Sequence, residues 1–158
     1  MGPPVLLLVF GCGGGPADVQ SPAQPSPGPL ADLSPVAIEV PGQVRLDSLL
    51  QVPVVVHNGG ARTAGPGWFV RLYLSADSLI ASDDILIEQF AVTRELQPGT
   101  DDGYLRTMKL PGRTVPAAYY LGSILDVTGV APELDEDNNS LLSPPALTIL
   151  SKTPFGAD

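Results

Sequence analysis

Carboxylates dominate the chemistry this sequence could do. The run Pro132-Glu133-Leu134-Asp135-Glu136-Asp137-Asn138-Asn139-Ser140 places oxygen-bearing side chains at alternate positions. A hard cation such as calcium asks a loop for that spacing. An EF-hand loop begun at Asp135 matches at Asp137 and Asn139. It then needs Gly at its sixth position and a carboxylate at its twelfth, where this chain has Ser140 and Ala146. A looser calcium site could still be built from Glu133, Asp135, Asp137 and Asn139 together with Asp126. The plainer reading is a turn between strands, because Asp and Asn side chains hydrogen-bond nearby backbone. A second group, Asp77, Asp83 and Asp84 in SADSLIASDD, has the same two readings. If both groups lie at one end of the fold, they could share an ion.

Catalysis finds little support. His57 is the only histidine and sits between an apolar run and Asn58-Gly59, where it reads as the end of a strand. No Gly-x-Ser-x-Gly elbow accompanies it. Carboxylates in exposed loops lack the burial that separates the pKa values of an acid and a base. Gly13-Gly14-Gly15 has no following Lys and no strand-to-helix context, so it is not a phosphate loop. The expectation is a chain that is not an enzyme and carries no cofactor, with calcium as the alternative.

The totals exclude further classes. The formal charge of -9, with 8 Lys+Arg against 17 Asp+Glu, argues against nucleic acid, since phosphate binding needs clustered cations. It also argues against charge-driven docking to an anionic membrane. One Cys excludes an internal disulfide, and one Cys with one His leaves no ligand set for structural zinc.

The elements that must position these residues read as strands. From residue 32 onward, short apolar runs alternate with turn signals, the pattern of an all-β domain. Seven strands are expected, near residues 33–40, 50–57, 68–75, 85–90, 104–110, 118–127 and 147–150. In LQVPVVVH, Leu50, Val52, Val54 and Val56 share one face. Pro53 lacks a ladder donor and predicts an edge or a bulge there. In WFVRLYLS, Trp68, Val70, Leu72 and Leu74 form one face, which makes Trp68 a core residue more than a binding aromatic. Phe69 and Tyr73 fall on the other face and, with Phe90, are candidate exposed binding aromatics. The economical architecture is an immunoglobulin-like β-sandwich of about seven antiparallel strands, with a closed barrel as runner-up. Leu121 and Leu125 are expected to join the buried face.

The N-terminus carries an address. Residues 5–10 are apolar, and Gly11-Cys12 follows directly. This resembles the end of a bacterial lipoprotein signal peptide, in which the Cys becomes the lipidated N-terminus. Val9 and Gly11 suit that motif; Phe10 is bulkier than it prefers, and no Lys or Arg precedes the apolar run. A start lying further upstream would account for the short leader. The run is far below the about 20 residues of a membrane-spanning helix. The organisation expected is a leader at 1–11, lipidated Cys12 with a disordered Pro/Gly-rich tether over 12–31, a sandwich over 32–151 and a short tail at 152–158. Gly13 after the Cys resembles an outer-membrane sorting position.

Five motifs in order, VVVHNGG, RLYLSAD, LQPG, YYLGSILD and ELDEDNNS, resemble the CARDB family, the cell-adhesion-related domain found in bacteria. The resemblance covers residues 31–151. It implies an immunoglobulin-like sandwich on an exported protein, with an adhesion-related role and no catalytic residues. The reading is therefore a lipid-anchored module of the bacterial cell envelope, binding an extracellular protein or glycan or acting as a spacer. The alternative is a calcium-dependent module with acidic loops at one end.

Overall fold

The computed structural model describes residues 28–153. Its eight strands are β1 Leu33–Ile38, β2 Gln43–Arg45, β3 Leu49–Asn58, β4 Phe69–Ser75, β5 Ile85–Ala91, β6 Asp101–Lys109, β7 Ala118–Leu125 and β8 Ser140–Leu150. They form two packed sheets, ordered β1-β3-β6 and β2-β8-β7-β4-β5. The architecture is the expected immunoglobulin-like sandwich.

The alternating runs do what their period dictates. Val52, Val54 and Val56 of β3 face Trp68, Val70, Leu72, Leu121 and Leu125 from the other sheet, and all are buried. The open side between β5 and β6 is closed by polar and aromatic pairs. Arg106 donates to Glu88 at 2.9 Å and lies 4.4 Å over the Phe90 ring. Phe90 packs on Tyr104 at 5.2 Å, and Arg94 bonds Asp102 at 2.7 Å above that ring. Burial, then the Asp102 carboxylate, push the Tyr104 hydroxyl up to about 12.

The structure corrects several expectations. There are eight strands, because β2 is a three-residue piece formed where the chain leaves the first sheet and joins the second, parallel to β8. β8 begins at Ser140, well before residue 147. Its Pro144 and Pro145 fall in an irregularity where Tyr119 pairs Leu147 and Leu121 pairs Ser143, so neither is asked for a regular ladder bond. Pro53 lies in the central strand of its sheet, with no bulge in its pairing to β6. Its carbonyl accepts from Glu39, so its missing N–H faces β1, whose ladder ends at the neighbouring Ile38–Val54 pair. Leu30 and Ala31, expected in the tether, belong to the folded body: Ala31 is buried and bridges Glu133.

Two of the three candidate binding aromatics are not exposed. Phe90 pairs with Val70 across β4–β5 and shares its core-facing side. Tyr73 does lie on the outer face of its sheet but is only 2% exposed. Its partner across the ladder is Gly122, and Ile80 of the β4–β5 connection fills the space where a Gly122 side chain would stand. That connection folds back over the sheet and covers the tyrosine. Phe69 is half-buried.

Gly122→Ala should test this cover. A Cβ there would fall on Ile80 and within 2.8 Å of the Leu141 carbonyl oxygen. We expect a loss of about 1–3 kcal/mol in urea unfolding, partly recovered by adding Ile80→Ala. Strictly additive losses in the double variant would show that Ile80 does not occupy this position.

Candidate functional site

Both acidic groups are in connections, but at opposite ends of the sandwich. Residues 76–84 follow Ser75 at the end of β4, which pairs with Tyr120 near the start of β7. Residues 126–139 follow the end of β7, beside the start of β4, where the Asp126 N–H donates to Phe69. The shared ion site imagined from sequence is thereby ruled out by topology.

At the first end the carboxylates shape turns. Asp77 Oδ1 accepts from the Leu79 amide at 2.9 Å and from Ser75 Oγ at 3.2 Å. Asp84 Oδ2 accepts from the Ala81 amide at 2.9 Å. Asp83 enters no bond among those of the described residues.

The second end is the more elaborate, and Asn58 organises it. Asn58 closes β3 and is fully buried. Its Oδ1 accepts from the Asp32 and Gly60 amides, each at 3.1 Å. Its Nδ2 donates to the Arg62 and Leu96 carbonyls, each at 2.9 Å. One side chain thus joins the entering chain, the β3–β4 connection and the β5–β6 connection. Gly60 must be glycine here, because an added Cβ would strike the backbone of Leu30 and Ala31.

Asp126 and Glu133 play the same part in the β7–β8 connection. Asp126 is buried, with φ of 37°. Its Oδ2 accepts from Ala131 N–H at 2.6 Å and its Oδ1 from Val130 N–H at 3.0 Å. Glu133 is 7% exposed, and its Oε2 accepts from the Leu33 amide at 2.6 Å. Burial pushes its carboxyl up to about 7 against the pull of that amide, and the carboxylates of Glu136 and Asp126 add to the rise. Asn139 Nδ2 lies 3.4 Å from Glu133 Oε1, while Asn139 Oδ1 is buried without a partner. Asp135 accepts from the Asp137 amide at 2.9 Å, an ordinary Asx turn. Asp137 and Asn139 therefore do not converge with Asp135 on a common point through these bonds. Among the described residues, no three His, Cys, Asp or Glu side chains come together as a metal set.

His57 also lies at this end. Its Nδ1 stands 2.6 Å from Asp101 Oδ1 on the exposed face of β3 and β6. No hydroxyl completes a triad with it among the described residues. Cys12 and most of the expected tether lie outside the described residues.

Sequence reasoning missed Asn58 as anything beyond a turn former. The signal was its place after four buried alternating residues, which puts the next alternate position, and so an amide, inside. It also missed two concavities. One is an open groove of about 760 Å³ at the end opposite Asn58, with Val44, Leu49, Pro53, Leu105 and Leu150 in its wall. The other is a smaller pocket beside Trp68.

No protein-family model matches the chain, and no curated protein sequence matches it. Solved structures do. A CARDB domain from Pyrococcus furiosus, crystallised in complex with di-metal ions, is 21% identical, with a TM-score of 0.57 over 77% of this chain and 90% of that one. A solution structure of the same domain gives 21% identity and 0.56 over 77% and 96%. A domain of a Methanosarcina acetivorans protein, assigned by name to the cell surface, gives 21% and 0.57 over 77% and 93%. The chain therefore has the fold of CARDB domains.

Two outcomes follow from this geometry. Asn58→Ala strands two amides and two carbonyls, and at about 1–3 kcal/mol for each buried unpaired group it should cost about 3–5 kcal/mol in urea unfolding after local relaxation. The Glu133 carboxyl has a folded value above its unfolded one, so its stabilising contribution is complete below pH about 4.5 and is lost as pH rises through about 7. Glu133→Gln should remove that dependence. The variant should gain on the parent between pH 4.5 and 7.5; a constant difference across that window would contradict the assignment.

Proposed function

We propose that this chain is a non-enzymatic module of the bacterial cell envelope, held by a lipid on Cys12. Its single sandwich binds a protein or glycan, or sets a spacing from the membrane. The observation that carries this reading is the CARDB fold, combined with loop-end polar groups that hold backbone in place. The sequence supports the anchor through its order: apolar run, the only Cys, Pro/Gly-rich stretch, sandwich. Outer-membrane placement rests on Gly13 alone.

Labelling with a clickable fatty acid in a bacterial host tests the anchor, using the chain, a version extended upstream and Cys12→Ser in each. We expect label on at least the extended version and none on its Cys12→Ser partner. Equal label with and without Cys12, or none on any version, would remove the anchor and most of the surface reading.

The cation-dependent alternative draws support from the di-metal complex of the Pyrococcus furiosus domain. We weigh against it because Asp126, Glu133, Asp135, Asp77 and Asp84 already accept backbone amides. Calcium at about 100 times its Kd would add about 2.7 kcal/mol, a melting shift of several degrees for a domain of this size. We expect no shift between millimolar calcium and chelator; a rise of that order would restore the alternative.

A further inference from the structure

Trp68 is the only tryptophan, is wholly buried, and its indole Nε1–H has no hydrogen-bond partner. Buried indole N–H groups nearly always find one. The residue lines a pocket of about 240 Å³ at the Asn58 end of the sandwich. Small apolar groups make the walls: Ala31, Ala64, Pro66, Val130 and Pro132. Arg62 lines it too, and its guanidinium forms no ion pair among the described residues.

The walls are held before anything binds. On one side, Arg62 C=O accepts from Asn58, its N–H donates to Leu30 at 3.1 Å, and Ala64 and Leu96 exchange bonds at 3.0 and 2.9 Å. On the other, Asp126 fixes the amides of Val130 and Ala131. The Trp68 carbonyl accepts from Val92 at 2.8 Å. A preformed pocket loses little entropy on binding.

The side chains that line it offer donors in excess: one indole N–H and the five N–H groups of a guanidinium. The complementary ligand has acceptor oxygens and a small apolar body. We infer that this pocket binds a carboxylate carried on a short branched hydrocarbon, with Arg62 pairing the carboxylate and Trp68 donating to the oxygen that penetrates furthest. Two sources share that chemistry, the C-terminal residue of a polypeptide and a free short-chain carboxylic acid. The site does not depend on where the domain is held.

Trp68 supplies the readout. The full chain would be titrated with isocaproate, isocaproamide, and Gly-Gly-Leu with a free or amidated C-terminus, following tryptophan emission. We expect a saturable change with at least one free acid, and affinity at least about tenfold weaker for its amide. Binding of the peptide acid alone assigns the site to chain ends; binding of isocaproate alone assigns it to free acids. Arg62→Gln should weaken binding about tenfold, by loss of a charge-assisted pair. Gly65 also lines the pocket, and an added Cβ there meets nothing within 4 Å. Gly65→Leu should therefore abolish binding while leaving the unfolding curve in place. No saturable change with any probe, equal affinity for acid and amide, or unaltered binding in Gly65→Leu would overturn the inference.

Discussion

One buried amide side chain holds the functional end of this domain together. Asn58 satisfies two backbone donors and two backbone acceptors from segments that are far apart in sequence. No aliphatic side chain could do this, and a carboxylate could accept but not donate. Connections between strands carry backbone polar groups that the ladders leave unpaired, and burying them unpaired is expensive. Asn58 lets three such segments pack against the core without that cost. The closeness it enforces explains Gly60, where the backbone of Leu30 and Ala31 leaves no room for a side chain. The arrangement of the first strand, the Trp68 pocket and the β3–β4 connection all depend on this contact.

The acidic residues acquire a different meaning beside it. Asp126 and Glu133 are acceptors aimed at amides of the β7–β8 connection and of β1. They do for that connection what Asn58 does for its neighbours. Negative charge is tolerable at Asp126 because two amides meet it; at Glu133 burial makes ionisation costly. The remaining acids, Asp135, Glu136 and Asp137, stay exposed, where screening keeps their mutual repulsion small. The open side of the sandwich uses another device, inward-facing Arg106 and Tyr104 on the β6 edge. Charges that point inward along an edge also discourage pairing with a second sheet.

Much of this was legible in the sequence where a single rule governs. Alternation in LQVPVVVH and WFVRLYLS placed the core correctly, because a strand with one buried face has only one register that hides its valines. The same rule failed at Tyr73, whose burial comes from a loop folding back, not from the sheet's own period. Phe90 was misplaced because its face is set by pairing with Val70, which its short run does not reveal. β2 escaped notice because three residues carry no period, and β8 because Pro144 and Pro145 resemble a loop until the irregularity beside Tyr119 is seen. The acid-rich run was read as a turn or a cation site. Which carboxylates point inward is decided by distant partners, Leu33 for Glu133 above all, and local spacing does not encode that.

Amide hydrogen exchange on the native domain tests the account most directly. If Asn58 and Asp126 build a rigid end, the amides of Asp32, Gly60 and Ala131 should exchange as slowly as those of Val54 and Leu72, opening only with the whole fold. Exchange of those three at the rate of an exposed turn such as residues 135–138, with the strand amides still protected, would contradict it.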